Sequence, residues 1–414
     1  MPQSHTSGNK LASDPHFKKN VFFRYREHCL NFRVSQSLFS SHDIDLGTKH
    51  LLKTLKDQKI KGLEKVLDLG CGYGPIGIAI KTIFPSTKVH MVDKDALALE
   101  YSQKNAELNR ASDIKIYGSL GYDNVSDKDF NLIISNIPAK VGVGVLEHLL
   151  KSAQFHLRPS GRVAIVVIDA IGDYVAKILA DSDIKILLQK RWPGHLVFHY
   201  EFLRKAMSTT NLSLGAFELG IYNRTEKALS FFDSDILIKT TYNLPEFDTL
   251  SYETELLLKS LKIIKGQKLQ RVTIFNPGQG FIPVVLSKIA AVKQINLVDR
   301  DLQALKISKE NLVSNGYPPD RISTMHQVGI LGKEESDKSQ YVIGVLTEKD
   351  GPLVHAMLVK QAAQQLTKTG LLIVASRSTP IARVATFVIS EKLMTVLNRH
   401  KSKGISLIVL KKKA

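Results

Sequence analysis

The chain is poor in several things that would have narrowed its class at once. It has 414 residues and two cysteines, Cys29 and Cys71, too few for a disulfide framework and suited to a reducing compartment such as the cytoplasm. Apolar runs such as VAIVVI at 163–168 fall far short of the ~20 residues that cross a bilayer, so no membrane partner is expected. No basic-then-apolar leader opens the sequence, and its polar start, residues 1–20, reads as loose. No Gly-x-Ser-x-Gly elbow and no Lys-Ser/Thr phosphate loop occurs. The 13 histidines do not stand at metal-ligand spacing with the cysteines, and no metal is expected. Acidic residues are outnumbered, 39 against 57 basic ones, for a net charge of +18. That balance favours a polyanionic partner, nucleic acid foremost, although a lysine-rich solvated surface would give the same count. The excess is spread over both halves, with Lys411–Lys413 as its one run.

What is present is an internal repeat. A shift of 206 positions lays VLDLGCGYG (66–74) on VTIFNPGQG (272–280). The same shift lays VHMVDKDALALEYSQKNAELN (89–109) on INLVDRDLQALKISKENLVSN (295–315), and LFSSHDIDLGTKHLLKTLK (38–56) on LPEFDTLSYETELLLKSLK (244–262). One offset aligns Gly72 with Gly278, Gly74 with Gly280 and Asp93 with Asp299 without a gap. Two copies of one domain follow, residues 21–205 and 206–414, joined near 205–212. In the first copy short apolar runs predict strands at 65–69, 88–92, 113–117, 130–135, 162–168, 184–190 and 196–203. Helical periods fit 75–84, 95–109, 143–157 and 170–181, with Asp95 at a cap position and RPSG (158–161) breaking the chain. Strand and helix in alternation imply an α/β fold with a mainly parallel, doubly wound sheet. The last two strands, separated by RWPG (191–194), are expected to form an antiparallel edge hairpin.

A strand that ends in Gly70, Gly72 and Gly74 and opens into a helix sets bare backbone against a ligand. Asp93 ends the next strand and suits the two hydroxyls of a ribose. GYGPIG (72–77) also satisfies the Gly-x-Gly-x-x-Gly pattern of nicotinamide cofactors, a weak signal by itself. Asp68 at the strand tip argues for a ligand with a cation, which S-adenosyl-L-methionine carries twice, in its sulfonium and its ammonium.

These stretches resemble motif I and the following acidic strand of class I S-adenosylmethionine-dependent methyltransferases. LFSSHDIDLGTKHLL resembles the leading segment of the small-domain methyltransferases, which include ribosomal RNA guanine-N2 enzymes with two tandem methyltransferase-like domains, one degenerate. The resemblance covers 38–203 well and the second half more loosely. It implies two tandem Rossmann-like domains, each a seven-stranded mainly parallel sheet with an antiparallel edge hairpin. It implies S-adenosyl-L-methionine as cofactor, held at Gly70, Cys71, Gly72 and Gly74 with Asp68, at Asp93 and Lys94, and at Asp45, Gly47 and Thr48. Ser119 and Leu120 stand where the family often has an acid for the adenine.

NIPAKVGVG (136–144) stands where that family has Asn-Pro-Pro-aromatic. Asn136 and Pro138 are the implied catalytic pair, with Asn136 also beside the cofactor; Ile137 and Ala139 replace a proline and the aromatic that stacks on the target base. Tyr73, Phe39 and Tyr122 are the candidate substitutes. In the second copy Asp68 falls on Ile274 and Gly70 on Asn276, and no Asn-x-Pro follows, so that copy reads as degenerate. In the resembled ribosomal enzymes the first domain is the degenerate one, so the order here is reversed. The expected function is methylation of an exocyclic amine of an RNA base, guanine N2 of ribosomal RNA first. A small molecule or protein amide as acceptor, and a non-catalytic RNA-binding protein on the same fold, are the alternatives, with hydride transfer behind them. Oligomeric state is not read from the sequence, and a monomer is compatible with it.

Overall fold

A computed structural model describes residues 14–57, 62–203, 215–332 and 338–413. The first half runs β1 (Phe17–Tyr25), β2 (His28–Ser35), α1 (Leu46–Asp57), β3 (Lys65–Leu69), α2 (Pro75–Ile83), β4 (Lys88–Asp93), α3 (Ala96–Leu108), β5 (Ile114–Gly118), β6 (Phe130–Asn136), α4 (Val143–Ser152), β7 (Leu157–Ile168), α5 (Asp169–Leu179), β8 (Ile184–Trp192) and β9 (His195–Phe202). The second half repeats it: β10 (Asn223–Phe231), β11 (Ser234–Thr241), α6 (Tyr252–Ser260), β12 (Lys268–Phe275), α7 (Phe281–Ile289), β13 (Ala291–Asp299), α8 (Leu302–Ser314), β14 (Ile322–His326), β15 (Ser339–Val345), α9 (Gly351–Gln365), β16 (Leu366–Arg377), α10 (Ser378–Ser390), β17 (Met394–Ser402) and β18 (Ile405–Lys412).

Each half builds a seven-stranded sheet, ordered β5-β4-β3-β6-β7-β9-β8 and β14-β13-β12-β15-β16-β18-β17. Five strands of each are parallel, and an antiparallel hairpin closes one edge, its inner strand, β9 or β18, running against all the others. Successive residues of a strand point to opposite faces. Val66, Leu132, Ile134 and Val166 accordingly pack under α1, α2 and α3, while Leu67, Ile133, Val163 and Ile165 pack under α4 and α5. Asp95 caps α3, its side chain accepting from Leu97 N at 2.9 Å. RPSG, expected to break the chain before a strand, instead bulges within β7: Phe130 pairs with Leu157 and Leu132 with Arg162, with Ser160 at φ +60°.

Two hairpins were not expected from the sequence. Residues 17–20 belong to β1, so that part of the segment read as loose is strand; residues 1–13, and the join near 205–212, lie outside the described residues. The inner positions Val21, Tyr25, Leu30, Phe32 and Val34 are buried. Asn105 on α3 and Asn109 at its C-terminal cap, one turn apart, bracket the hairpin. Asn109 accepts from Asn31 N (2.9 Å) and donates to Asn31 O (2.7 Å), and Asn105 does the same with Arg33 (2.7 and 3.0 Å). Asn311 and Asn315 hold β11 identically in the second half.

The halves meet at the carboxyl ends of β4 and β13, about a local two-fold. Ala96 N donates to Arg300 O (2.8 Å) and Leu302 N to Lys94 O (2.9 Å). Lys94 pairs with Asp301 (2.7 Å) and Arg300 with Asp95 (2.9 Å). On the axis, His326 Nε2 lies 2.8 Å from Lys94 O and 2.9 Å from Arg300 O; both are acceptors, so Nε2 carries the proton. Each half also reaches the other's β6 or β15 loop: Asn243 donates to Val141 O (3.1 Å), and Ser37 donates to Asp350 (3.1 Å).

Arg300 is about a quarter exposed and also bonds Ser37 O at 2.8 Å. Removing it strands the Asp95 carboxylate beside a low-dielectric junction. Arg300→Ala is expected to lower unfolding stability by about 1–3 kcal/mol, less than a fully buried pair would cost because water screens part of the charge. Urea titration followed by circular dichroism checks this, and a loss below ~0.5 kcal/mol would show that the junction is not held by its charges.

Candidate functional site

The glycine loop joins β3 to α2. Gly70, Gly72 and Gly74 all have positive φ, at 76°, 58° and 92°. Their bareness serves two purposes. A Cβ on Gly70 or Gly72 would meet nothing within 4 Å, so these two border open space. A Cβ on Gly74 would lie 2.8 Å from Ile78 Cδ1 and from Met91 Cε, so Gly74 is bare for helix-on-sheet packing. Cys71 contributes main chain only: its N–H bonds Val92 O at 2.9 Å, and its buried thiol turns inward to Ser102. Burial pushes that thiol up, so it is neutral.

Two carboxylates back the loop. Asp93 accepts from Gly72 N and from Asp95 N, both at 2.9 Å, and burial raises its pKa. Asp68 is fully buried; Oδ2 accepts from Gly77 N at 2.8 Å, and Oδ1 has no partner. Burial pushes Asp68 up to about 7, with Asp93 adding repulsion and the Gly77 bond opposing. An orphaned buried carboxylate oxygen, beside two glycines that border open space, fits a cationic ligand with a ribose.

Asn136 ends β6. Its Nδ2 donates to Asp45 Oδ2 (2.8 Å) and to Thr48 Oγ1 (3.1 Å), at the start of α1. Asp45 also accepts from Thr48 N at 3.1 Å. Asp45 and Thr48, expected to line the cofactor, thus grip the Asn136 amide. Gly47 is bare for a steric reason: a Cβ there would sit 2.8 Å from both Asp45 Oδ2 and the His195 ring. Pro138 is exposed in the loop that follows.

Several expected roles are not met. Lys94 turns away to Asp301 and Gln303 across the junction. The Ser119 amide bonds Asp93 O (3.0 Å) and its hydroxyl bonds Gly121 O (2.7 Å), so neither reaches for a ligand. Leu120 is buried in the core, leaving only main chain for an adenine there. Among the candidate stacking rings, Tyr73 is buried against Phe32, Tyr122 is buried and stacked on His156, and Phe39 is 74% exposed and stacks on no other ring among the described residues. Sequence reading passed over His50, Trp192 and His195. RWPG (191–194) reads only as the link between two strands, although the chain there returns Trp192 and His195 to the carboxyl end of the sheet.

The second half keeps the shape of the loop without its chemistry. Gly278 and Gly280 hold φ values of 57° and 90°, and Asn276 takes the Gly70 position at φ 47°. Ile274 is buried where Asp68 stands. Asp299 persists, pushed up to about 8 by burial. The space before it, about 30 Å³, is walled by His16, Gln327, Asp350 and Leu358, room for about one water. A larger concavity, about 320 Å³, lies at the opposite, amino-terminal end of the first sheet around Arg158–Gly161 and Phe202 and touches none of these groups. Among the described residues no helix is long and apolar enough to cross a membrane, and no cluster of three or more His, Cys, Asp or Glu is placed to hold a metal.

The model of the methyltransferase small domain matches this chain twice, at residues 29–181 and 246–408. The uncharacterized protein YbxB of Bacillus subtilis (strain 168) is 34% identical over 151 residues, 36% of this chain and 74% of that protein. Ribosomal RNA small subunit methyltransferase C of Haemophilus influenzae (strain PittGG) is 37% identical over 164 residues, 38% of this chain and only 48% of that protein's length. Among solved structures, the T. thermophilus 16S rRNA N2 G1207 methyltransferase RsmC, in complex with AdoMet and guanosine, superposes with a TM-score of 0.66 over 95% of this chain and 98% of that one, at 14% identity. That likeness extends the two-domain fold over nearly the whole chain. With its glycine loop, its paired carboxylates and a family match in each half, the chain belongs to the methyltransferase small-domain family and carries that domain twice.

Proposed function

We propose that the first half is an S-adenosylmethionine-dependent methyltransferase acting on an exocyclic amine of an RNA base, guanine N2 of ribosomal RNA, with the second half as its buttress. The observation that carries this is the orientation of Asn136. Both amide hydrogens point at Asp45 and Thr48, so Oδ1 is left as an acceptor for the N–H of an incoming amine. Asp45 behind the amide polarises it, which strengthens Oδ1 as an acceptor and favours the positive charge that builds on the amine nitrogen. Asn136 thus orients the amine, and the backbone after it, at Ile137, is the neighbouring acceptor. The cofactor, held by the Gly70–Gly72 backbone, Asp68 and Asp93, supplies the activated methyl group. A net charge of +18 suits an RNA acceptor, and the ribosomal relatives name the class.

Labelled methyl transfer to RNA from cells lacking the gene, followed by nucleoside digestion, is expected to yield N2-methylguanosine from the small subunit. Asn136→Ala is expected to slow transfer at least about a hundredfold while S-adenosylhomocysteine affinity stays within about threefold. Intact cofactor binding with no transfer to any RNA fraction would remove the RNA claim and favour a small or protein acceptor.

Asp68 gives a pH prediction. Its folded pKa of about 7 lies above the ordinary 3.8, so the ligand-free protein binds an extra proton between those values and loses that share of stability as pH rises through the window. A cationic ligand prefers the ionised form. Cofactor affinity is therefore expected to rise between pH 6 and 8, by at most about tenfold per unit, and to be flat in Asp68→Asn. Calorimetric titration at three pH values checks it, and an equal slope in the variant would assign the proton elsewhere.

A further inference from the structure

The order of the first sheet sets a direction. Cofactor-side groups stand on β3 and β4, Asn136 ends β6, and next come the end of β7 and the β8–β9 turn. An acceptor reaching Asn136 from the side away from the cofactor meets that turn. His195 opens β9 opposite Ile168, which ends β7. Its ring lies against Gly47, and both it and Asp45 Oδ2 crowd the place a Gly47 Cβ would take. The imidazole therefore stands beside the carboxylate that holds Asn136. It is half-buried, and its Nδ1 has no hydrogen-bond partner. Two further rings fix it: His50 meets His195 edge-on at 5.9 Å and is itself stacked on Trp192 at 4.5 Å and 10°. Lys190 caps the Trp192 ring at 4.8 Å, which takes that indole out of direct stacking and leaves His195 as the inner ring of the series. The turn is tied down by Asp169 N to Gly194 O (2.9 Å) and by Arg191 to Asp169 and Asp173. This is a braced planar group on the acceptor side of a site whose loop has Ala139 where a ring is expected.

We propose that His195, braced by His50 and Trp192, is the stacking wall of the acceptor site and takes the face of the target base beside Asn136. The proposal rests on the base-methylation reading and adds to it the residue that substitutes for the missing aromatic. Stacking depends on the plane of the ring rather than on its charge, so phenylalanine should serve where alanine fails.

The test uses the full chain. His195→Ala is expected to raise the KM for ribosomal RNA about tenfold or more, the scale of one lost base–ring contact, with S-adenosylhomocysteine affinity unchanged. His195→Phe should restore KM to within a few-fold. His50→Ala, which loosens the brace without removing the wall, should give an intermediate KM. Because Trp192 is the single tryptophan, its emission reports on the cluster directly, and guanosine titrated into the S-adenosylhomocysteine complex should shift it in the wild type and not in His195→Ala. Unchanged KM in His195→Ala, or no rescue by phenylalanine, overturns the wall. If the wild type methylates no RNA, the base reading falls by that result alone; the guanosine titration then judges the wall independently, and a silent Trp192 overturns it. Should His195→Ala fail to bind S-adenosylhomocysteine, the Phe and His50 variants carry the comparison.

Discussion

Both hydrogens of the Asn136 side-chain amide are taken up by Asp45 and Thr48, and the rest of the site is arranged around that fact. An amide free to rotate would present either nitrogen or oxygen to an acceptor. Fixed from behind by a carboxylate and a hydroxyl, it can present only oxygen. The groups that fix it come from the first turn of α1, so that turn must approach the sheet closely. Gly47 permits the approach by having no side chain, and His195 fills the room that results. The orientation of the Asn136 amide therefore depends on a helix start and a missing Cβ, with an edge hairpin packed against them, three features far apart in the chain.

The second half touches the surroundings of this site mainly through backbone groups. Its β13 end packs on the β4 end, the strand that carries Asp93, and its Asn243 side chain donates to the loop after Asn136. None of that requires a ligand in the second half, where Ile274 has replaced the buried charge and His16 of the first half walls the remaining space. A copy can lose its pocket and keep its contacts because the two depend on different atoms: the contacts on main chain and helix caps, the pocket on Asp68 and open glycines.

Much of this was legible in the sequence. Strand and helix periods in the first half match the observed elements closely, and the offset of 206 shows the tandem arrangement. The paired carboxylates, the glycine loop and Asn136 stand out by type and spacing. What stayed hidden has a common physical character. Lys94 looked like part of a ligand site because its partner, Asp301, is 207 residues away, and sequence spacing says nothing of a junction between copies. Ser119 looked free because the turn that uses its hydroxyl is a local backbone arrangement. Gly74 and Gly70 are alike in the sequence, yet one faces Met91 and the other open space. The β1–β2 hairpin did leave a trace, in apolar alternation at Val21, Phe23 and Tyr25 and in two asparagines at positions 105 and 109 that recur at 311 and 315.

Those asparagines have a consequence for how the two copies diverge. They recognise a strand by its peptide groups, so the identity of the hairpin residues is nearly irrelevant to the grip, while its register is not. A single residue inserted between Asn31 and Arg33, or between Asn105 and Asn109, would carry one amide past its peptide and disturb the glycine loop, which Asn105 also touches through Tyr73 O. From the hairpin to the end of α3 the two copies keep the same residue count, and the first extra residues of the second copy come only beyond Asn315. In this stretch the two copies share their length more closely than their sequence.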